Sequence, residues 1–151
     1  MGNRIEQELT EDLLRELQEE HYVMLATIDQ DTKGPSVNAI SWIYAADRNT
    51  IRFAVDRKSR IISNIHENPA AVMTVIADGS TYALSGKSKI VQEKIDNVPV
   101  KLSMMELHIQ EVKDVMFYGA RLTHEPQFEK TYDEDAAAKL DRQVMDALQS
   151  V

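Results

Sequence analysis

The middle of the chain alternates between two sides with a period of two and predicts a pair of strands. From Pro35 to Ala46, PSVNAISWIYAA, the alternation places Val37 on one side and Trp42 on the other. Residues 47 to 49 favour a turn. Thr50–Asp56, TIRFAVD, is rich in β-branched and aromatic residues, so the two runs predict a β-hairpin.

A short, one-sided helix is predicted directly after the hairpin. Ser59 is its predicted N-cap, its three isoleucines share one side, and it ends at Asn68–Pro69. Arg57, Lys58 and Arg60 surround the first turn, where backbone N–H groups lack helical partners. Positive charge at a helix start favours binding of a phosphate.

Five further segments have the composition of strands. Asp78–Gly79 signals a tight turn between two of them, and Gly86 marks a bulge or a close backbone approach inside the second. With the central pair they make about seven strands, enough to close a small antiparallel barrel. The five are Tyr22–Asp29, Ala71–Ala77, Thr81–Gln92, Met104–Val112 and Val115–Thr123.

An amphipathic helix is predicted near each end of the chain. Residues 6 to 20 carry four leucines on one face, with Thr10 as a possible cap, and Asp133 opens a second helix over residues 133 to 149. The 151 residues are therefore predicted to form a single α+β domain with its barrel in residues 22 to 123.

Composition excludes several classes of protein. The sequence contains no cysteine, which excludes disulfides and cysteine metal sites. No apolar run is long enough to span a bilayer, and the N-terminal segment is acidic, unlike a signal peptide. We therefore expect a cytoplasmic protein that does not bind membranes.

The net charge of −8 is spread unevenly. Residues 1 to 20 carry two basic and seven acidic residues, whereas residues 48 to 60 carry five basic and one acidic. A basic island in an acidic protein argues against a nucleic-acid surface and favours a small anionic ligand, although charges on an exposed turn would give the same pattern.

The chain has few residue patterns typical of catalysis. Its four histidines are never three or four residues apart, so we predict no metal site. His66 lies on the short helix and keeps haem ligation open as an alternative. No serine lies in a nucleophile-elbow context, and no glycine loop suits a phosphate. The sequence therefore does not support a serine hydrolase or a P-loop nucleotide-binding protein.

Four fragments follow one another in order: LATID at residues 25 to 29, WIY at 42 to 44, FAVDRKSR at 53 to 60 and NPAAV at 68 to 72. In this order and spacing they resemble the pyridoxamine 5'-phosphate oxidase-like, flavin-binding split barrels. The resemblance covers roughly residues 10 to 92 and is of the small bacterial, general-stress-protein type.

The resemblance implies a homodimeric split barrel of six to seven antiparallel strands. It also implies flavin mononucleotide (FMN) at the subunit interface, with its phosphate near Ser59 and Arg60. Many family members have Lys at the position of Ile61 and Arg near that of Asn38, so two basic contacts are missing here. The predicted cofactor-binding residues are Asn38, Ser41, Trp42, Val55, Asp56, Lys58, Ser59 and Arg60.

Two of the aromatic and apolar features keep more than one interpretation. Trp42 is the only tryptophan, and it is either a core or interface anchor or a flavin contact. Met104, Met105, Met116 and Phe117–Tyr118 suit the barrel core or a dimer interface, although Tyr118 could also reach a cofactor edge.

The functional expectation is an FMN-dependent oxidoreductase acting on a small molecule, with no catalytic residue or substrate assigned. One alternative is a stress-type protein that binds a flavin or another phosphorylated ligand without turnover, and the other is a haem-binding relative. The chain is not expected to be an authentic pyridoxamine 5'-phosphate oxidase. Those enzymes end in an Arg-rich segment, whereas residues 124 to 151 carry three basic and seven acidic residues.

Overall fold

The computed structural model describes residues 5 to 150, which form eight strands and three helices. The strands are β1 (Ile5–Glu6), β2 (Val23–Ile28), β3 (Pro35–Ile40), β4 (Ile43–Asp47), β5 (Thr50–Asp56), β6 (Ala70–Ala77), β7 (Ser80–Gln92) and β8 (Leu102–Asp114). The helices are α1 (Glu11–Glu16), α2 (Arg60–Glu67) and α3 (Glu134–Gln149).

All strand pairs are antiparallel, and the sheet runs in the order β3-β2-β6-β7-β8-β5-β4, with β1 added beside β8. β3 and β4 therefore occupy opposite edges of the sheet. Only Ser41 and Trp42 connect them, so the sheet must curl until its two edges lie side by side. The result is the predicted antiparallel split barrel with flanking helices, and the small strand β1 raises the number of strands to eight.

The predicted single strand from Pro35 to Ala46 is wrong, because the chain changes partners at Ser41 and Trp42. The Ser41 carbonyl accepts a hydrogen bond from the backbone N–H of His21 (3.1 Å), on the β2 side. The Trp42 carbonyl accepts one from Ala54 of β5 (3.0 Å). The alternation of the sequence continues through both strands, so the sequence pattern did not indicate that the chain crosses from one edge of the sheet to the other.

The predicted strand Val115–Thr123 is also wrong, because β8 ends at Asp114 and the chain continues as a loop. One carboxylate oxygen of Asp114 accepts hydrogen bonds from the Ser80 hydroxyl (2.8 Å) and from the Met116 N–H (3.0 Å). The Val115 N–H still donates to the Thr81 carbonyl (2.8 Å), but regular pairing ends there and Phe117 is exposed. The apolar alternation of this segment does not reflect burial in the sheet.

The N-terminal helix is shorter than predicted. Thr10 caps it as expected, through a hydrogen bond from the Leu13 N–H to its hydroxyl (3.3 Å), but α1 spans only six residues. Before it, β1 pairs with β8, and the Leu9 N–H donates to the Arg48 carbonyl (2.9 Å). These partners hold residues 5 to 9 as a short strand followed by a bend, where the sequence favoured helix.

Other local predictions are confirmed. Ser59 caps α2, and Asp133 caps α3. Asp78 and Gly79 form the tight β6–β7 turn with φ of 53° and 74°. Gly86 sits at a register shift in β7, and a Cβ there would collide with the His108 carbonyl, so both expected roles of this glycine apply.

Two groups of buried residues stabilise the fold. The larger fills the barrel and includes Leu25, Phe53 and Met73, all fully buried. The smaller lies under α3, where Val144 and Leu148 pack on Met104 and against the half-buried Trp42. None of the three described helices is both long and apolar enough to cross a membrane.

Candidate functional site

A cleft of about 510 Å³ lies beside the Ser41–Trp42 crossing. Its walls come from β3, the end of β5, the start of α2, the residues at and just before the start of β8, and residues 130 to 140. Of the eight predicted cofactor-binding residues, six line this cleft, and Lys58 and Arg60 do not. The six are Asn38, Ser41, Trp42, Val55, Asp56 and Ser59.

The cleft has apolar walls. Ten of its fifteen lining residues are apolar or aromatic, which gives a surface suited to a flat, largely apolar ring. The ten are Ala39, Ile40, Trp42, Ala54, Val55, Ile61, Val100, Leu102, Tyr132 and Leu140.

A turn at the end of β5 places the start of α2 at the cleft. The Asp56 side chain accepts the Lys58 N–H (2.8 Å), and the Asp56 carbonyl accepts the Ser59 N–H (2.9 Å). The Ser59 hydroxyl then accepts the Ile61 N–H (3.1 Å) as the helix cap. This arrangement turns Ser59 and Asp56 into the cleft and leaves the Lys58 side chain exposed.

Arg60 is engaged away from the cleft. Its Nη2 donates to Oδ2 of Asp29 (2.9 Å) and to Oδ2 of Asp31 (3.1 Å), and 58% of its side chain is exposed. Hydrogen bonds from Arg60 to both carboxylates raise its pKa. The basic residues between positions 48 and 60 therefore do not gather around one anion site, because Arg60 already pairs with Asp29 and Asp31.

Lys130 is the only cation among the residues lining the cleft. Its Nζ donates to Oδ1 of Asp141 (2.7 Å) and to Oε2 of Glu20 (2.8 Å). It also lies 5.5 Å from the centroid of the Trp42 ring, within reach of a cation–π interaction. Burial lowers the pKa of Lys130, but its two carboxylate partners outweigh burial and raise it.

The same carboxylates fix the crossing between β3 and β4. The Trp42 Nε1–H donates to Oδ1 of Asp141 (2.9 Å), and the Ser41 hydroxyl donates to Oε2 of Glu20 (2.6 Å). Trp42 packs under α3 and also lines the cleft, so its position suits both a core anchor and a ligand contact. The crossing is thus held by the two acids that hold Lys130.

The sequence matches the family model described as pyridoxamine 5'-phosphate oxidase over residues 9 to 117. The chain belongs to the pyridoxamine 5'-phosphate oxidase family. No curated protein matches the sequence.

Several solved structures share the fold of this chain. A Lactobacillus delbrueckii protein named as a candidate pyridoxamine 5'-phosphate oxidase superposes with a TM-score of 0.61 at 20% identity, over 74% of this chain and 98% of that one. General stress protein 26 of Bacillus anthracis gives a TM-score of 0.53 at 15% identity, covering 66% and 87%. A protein named F420 reductase gives 0.52 at 22% identity, covering 64% and 92%.

Part of the cleft comes from outside the matched family region. We call residues 118 to 150 the C-terminal segment, and Lys130, Tyr132 and Leu140 all belong to it. The sequence pattern does not indicate these three residues as part of a site, because they are far from the β5–α2 motif along the chain. Only the apolar stripe of α3 indicated that this segment would pack on the barrel or on a partner subunit.

The cleft fits a flavin ring better than it fits a phosphate. Its apolar walls suit the ring, and Ser59 presents a hydroxyl at the start of α2. Its one cation is already shared between two carboxylates, and Arg60 faces acids as well. His66 is exposed and does not line the cleft, so the geometry gives no support for haem ligation there.

Proposed function

We propose that this protein binds FMN in the cleft and acts as a flavin-dependent oxidoreductase. The observation that carries the proposal is the cleft itself, which joins ten apolar or aromatic lining residues to the capped start of α2. Membership of the pyridoxamine 5'-phosphate oxidase family supports flavin as the cofactor.

In this proposal the chain's residues hold and shield the cofactor. Ile40, Val55 and Leu140 provide apolar surface for the isoalloxazine ring, and their contact excludes water. Ser59 and the N-terminal end of α2 receive the phosphate. The bound flavin supplies the redox chemistry itself.

We further propose that the protein is a homodimer. The edge strand β3 exposes Val37 by 61%, and the loop after β8 exposes Phe117 and Tyr118. An exposed edge strand and exposed apolar side chains both favour association with a second copy. Light scattering should give twice the 17.2 kDa chain mass, and a monomer at micromolar concentration would contradict this expectation.

The location of the flavin is tested by a matched pair of variants. Tyr132 and Phe128 belong to the same loop and are each 47% exposed, but only Tyr132 lines the cleft. Tyr132→Ala should weaken FMN binding about fivefold, the value of one lost aromatic contact, whereas Phe128→Ala should not. Equal losses in a flavin-fluorescence titration would place the flavin elsewhere.

The phosphate is tested in the same titration with Arg60→Glu. This variant should weaken FMN binding more than riboflavin binding, because only FMN carries a phosphate to the start of α2. The structure adds a requirement, since Arg60 must leave Asp29 and Asp31 to reach a phosphate. Equal effects on the two flavins would show that Arg60 does not contact the phosphate.

Binding without turnover is the second candidate function, and the pairing of both nearby cations with acids favours it. The visible spectrum of the purified protein separates the ligands, because flavin bands and a haem Soret band differ.

Supplying FMN with pyridoxamine 5'-phosphate tests the named reaction. We expect no steady formation of pyridoxal 5'-phosphate, because the C-terminal segment forms the acidic helix α3 over the barrel.

A further inference from the structure

A histidine and two glutamates converge where α1 ends. Nε2 of His21 lies 3.8 Å from Oε1 of Glu16 and 3.9 Å from Oε1 of Glu125, and the three atoms lie within 4.8 Å of one another. None of the three residues lines the flavin cleft. No spacing rule predicts this group, because Glu125 is more than a hundred residues from the other two.

The distances from His21 to the two carboxylates suit shared coordination of one ion better than direct hydrogen bonding. A separation of 3.8 or 3.9 Å between nitrogen and oxygen is too long for a hydrogen bond. The centre of a triangle with sides of this size lies roughly 2.2 to 2.5 Å from each corner, close to the bond lengths of divalent cations. One ion could therefore contact all three atoms with small side-chain adjustments.

The imidazole of His21 is already oriented as a ligand. Its Nδ1 lies 2.9 Å from the Tyr22 carbonyl oxygen. A carbonyl can only accept, so Nδ1 carries the proton of this bond, which leaves Nε2 as the ring nitrogen that can offer a lone pair to a cation held between it and the two carboxylates. Metal-binding histidines are commonly fixed in this way, by a backbone carbonyl on the other ring nitrogen. His21 is also held firmly, since only 14% of its side chain is exposed.

The surroundings attract a cation. Glu16 and Glu125 face an adjoining cavity of about 560 Å³ whose lining has five carboxylates and one guanidinium. That guanidinium, of Arg15, is paired with Asp12 at 3.4 Å. The excess of negative charge is therefore uncompensated within the lining. The five carboxylates are those of Asp12, Glu16, Glu19, Asp78 and Glu125.

We propose that Glu16, His21 and Glu125 form a binding site for a first-row divalent cation of the Zn²⁺ type. One imidazole with two carboxylates is a donor set that such ions accept, and three protein ligands leave positions for water. Glu125 belongs to the C-terminal segment, whereas Glu16 and His21 belong to the matched family region. The ion fastens that segment to the end of α1.

The experiment is a calorimetric titration of the full-length, chelator-treated protein with ZnCl₂. We expect one Zn²⁺ per chain. Glu125→Gln should weaken binding about tenfold or more, since loss of an outer partner alone costs that much at known sites. Glu125 is exposed, so this variant should fold normally. His21→Gln should lower the affinity in the same way, and both variants should lose the visible bands of Co²⁺ bound in the site.

Two controls separate coordination from general attraction. Glu19→Gln removes a charge from the same cavity without touching the three ligand atoms, and His124→Gln removes the histidine next to Glu125. Both should retain affinity within about twofold, because neither supplies a ligand. No binding by the wild-type protein, equal weakening in Glu19→Gln, or full binding by Glu125→Gln and His21→Gln would each overturn the proposal.

Discussion

Two cations near the cleft differ in how the fold encloses them. Arg60, at the start of α2, is more than half exposed and lies against Asp29 and Asp31. Lys130, from the C-terminal segment, is 23% exposed and lies between Glu20 and Asp141, above the Trp42 ring. Each has two carboxylate partners, yet only Lys130 lines the cleft.

Because the two sites differ in burial, we expect their ion pairs to differ in what they contribute to stability. Water screens the exposed Arg60 pairs, and such pairs are worth little to stability. At Lys130 the carboxylates also bind Trp42 and Ser41, so loss of either carboxylate leaves a half-buried donor without its acceptor. We therefore expect variants around Lys130 to have larger effects than variants around Arg60.

The largest effect is expected for Asp141→Ala. Oδ1 of Asp141 accepts from both Trp42 Nε1 and Lys130 Nζ, so the change removes the acceptor of two donors at once. The free energy of unfolding should fall by about 2 kcal/mol in urea denaturation. Asp146→Ala, an exposed aspartate on the same helix, has the same change in helix propensity and should lose little. Similar losses in both variants would mean that the network adds nothing.

A smaller effect is expected for Lys130→Met, which keeps most of the side-chain volume and removes the charge. Glu20 and Asp141 retain their bonds to Ser41 and Trp42, so the loss should be about 1 kcal/mol. The pKa of Lys130 is raised in the folded state, so its contribution is fully present below pH 10.5 and is lost as the pH rises through the raised pKa. Lys139→Met, exposed on α3, is the control and should show no such pH dependence in the free energy of unfolding.

The sequence was sufficient for the fold wherever local signals and partners agreed. Ser59, Asp78–Gly79 and Gly86 each have one conformational task that their residue type performs best, and all were predicted. It was insufficient where a long-range partner decided the outcome. The break at Ser41–Trp42 depends on two different neighbouring strands, and the end of β8 depends on Ser80 contacting Asp114.

The site was predictable to a similar extent. Six cleft residues were predicted from the family resemblance, and the curling of the sheet brings β3 close to the β5–α2 turn although the two lie far apart in the strand order. The direction of a long charged side chain was not predictable, since Arg60 could turn to the cleft or to the Asp29 turn. Lys130 reaches the cleft only because α3 folds back over the barrel, and no local pattern predicts that contact.

The smallest effect belongs to Asp29 and is a matter of pH. Hydrogen bonds from the backbone N–H groups of Thr32 and Asp31, and then from Arg60, lower the pKa of Asp29 from 3.8 to about 2. Because the folded-state pKa is depressed, the ionised carboxylate contributes stability above pH 3.8, and this contribution is lost as the pH falls to about 2. Asp29→Asn should therefore lose stability relative to wild type at pH 5, and the difference should shrink towards pH 2 in urea denaturation. Arg60→Met should keep most of this pH dependence, since the two backbone bonds are the larger causes. If Arg60→Met removed it as completely as Asp29→Asn, the exposed ion pair would be stronger than its exposure implies, and the contrast with Lys130 would fail.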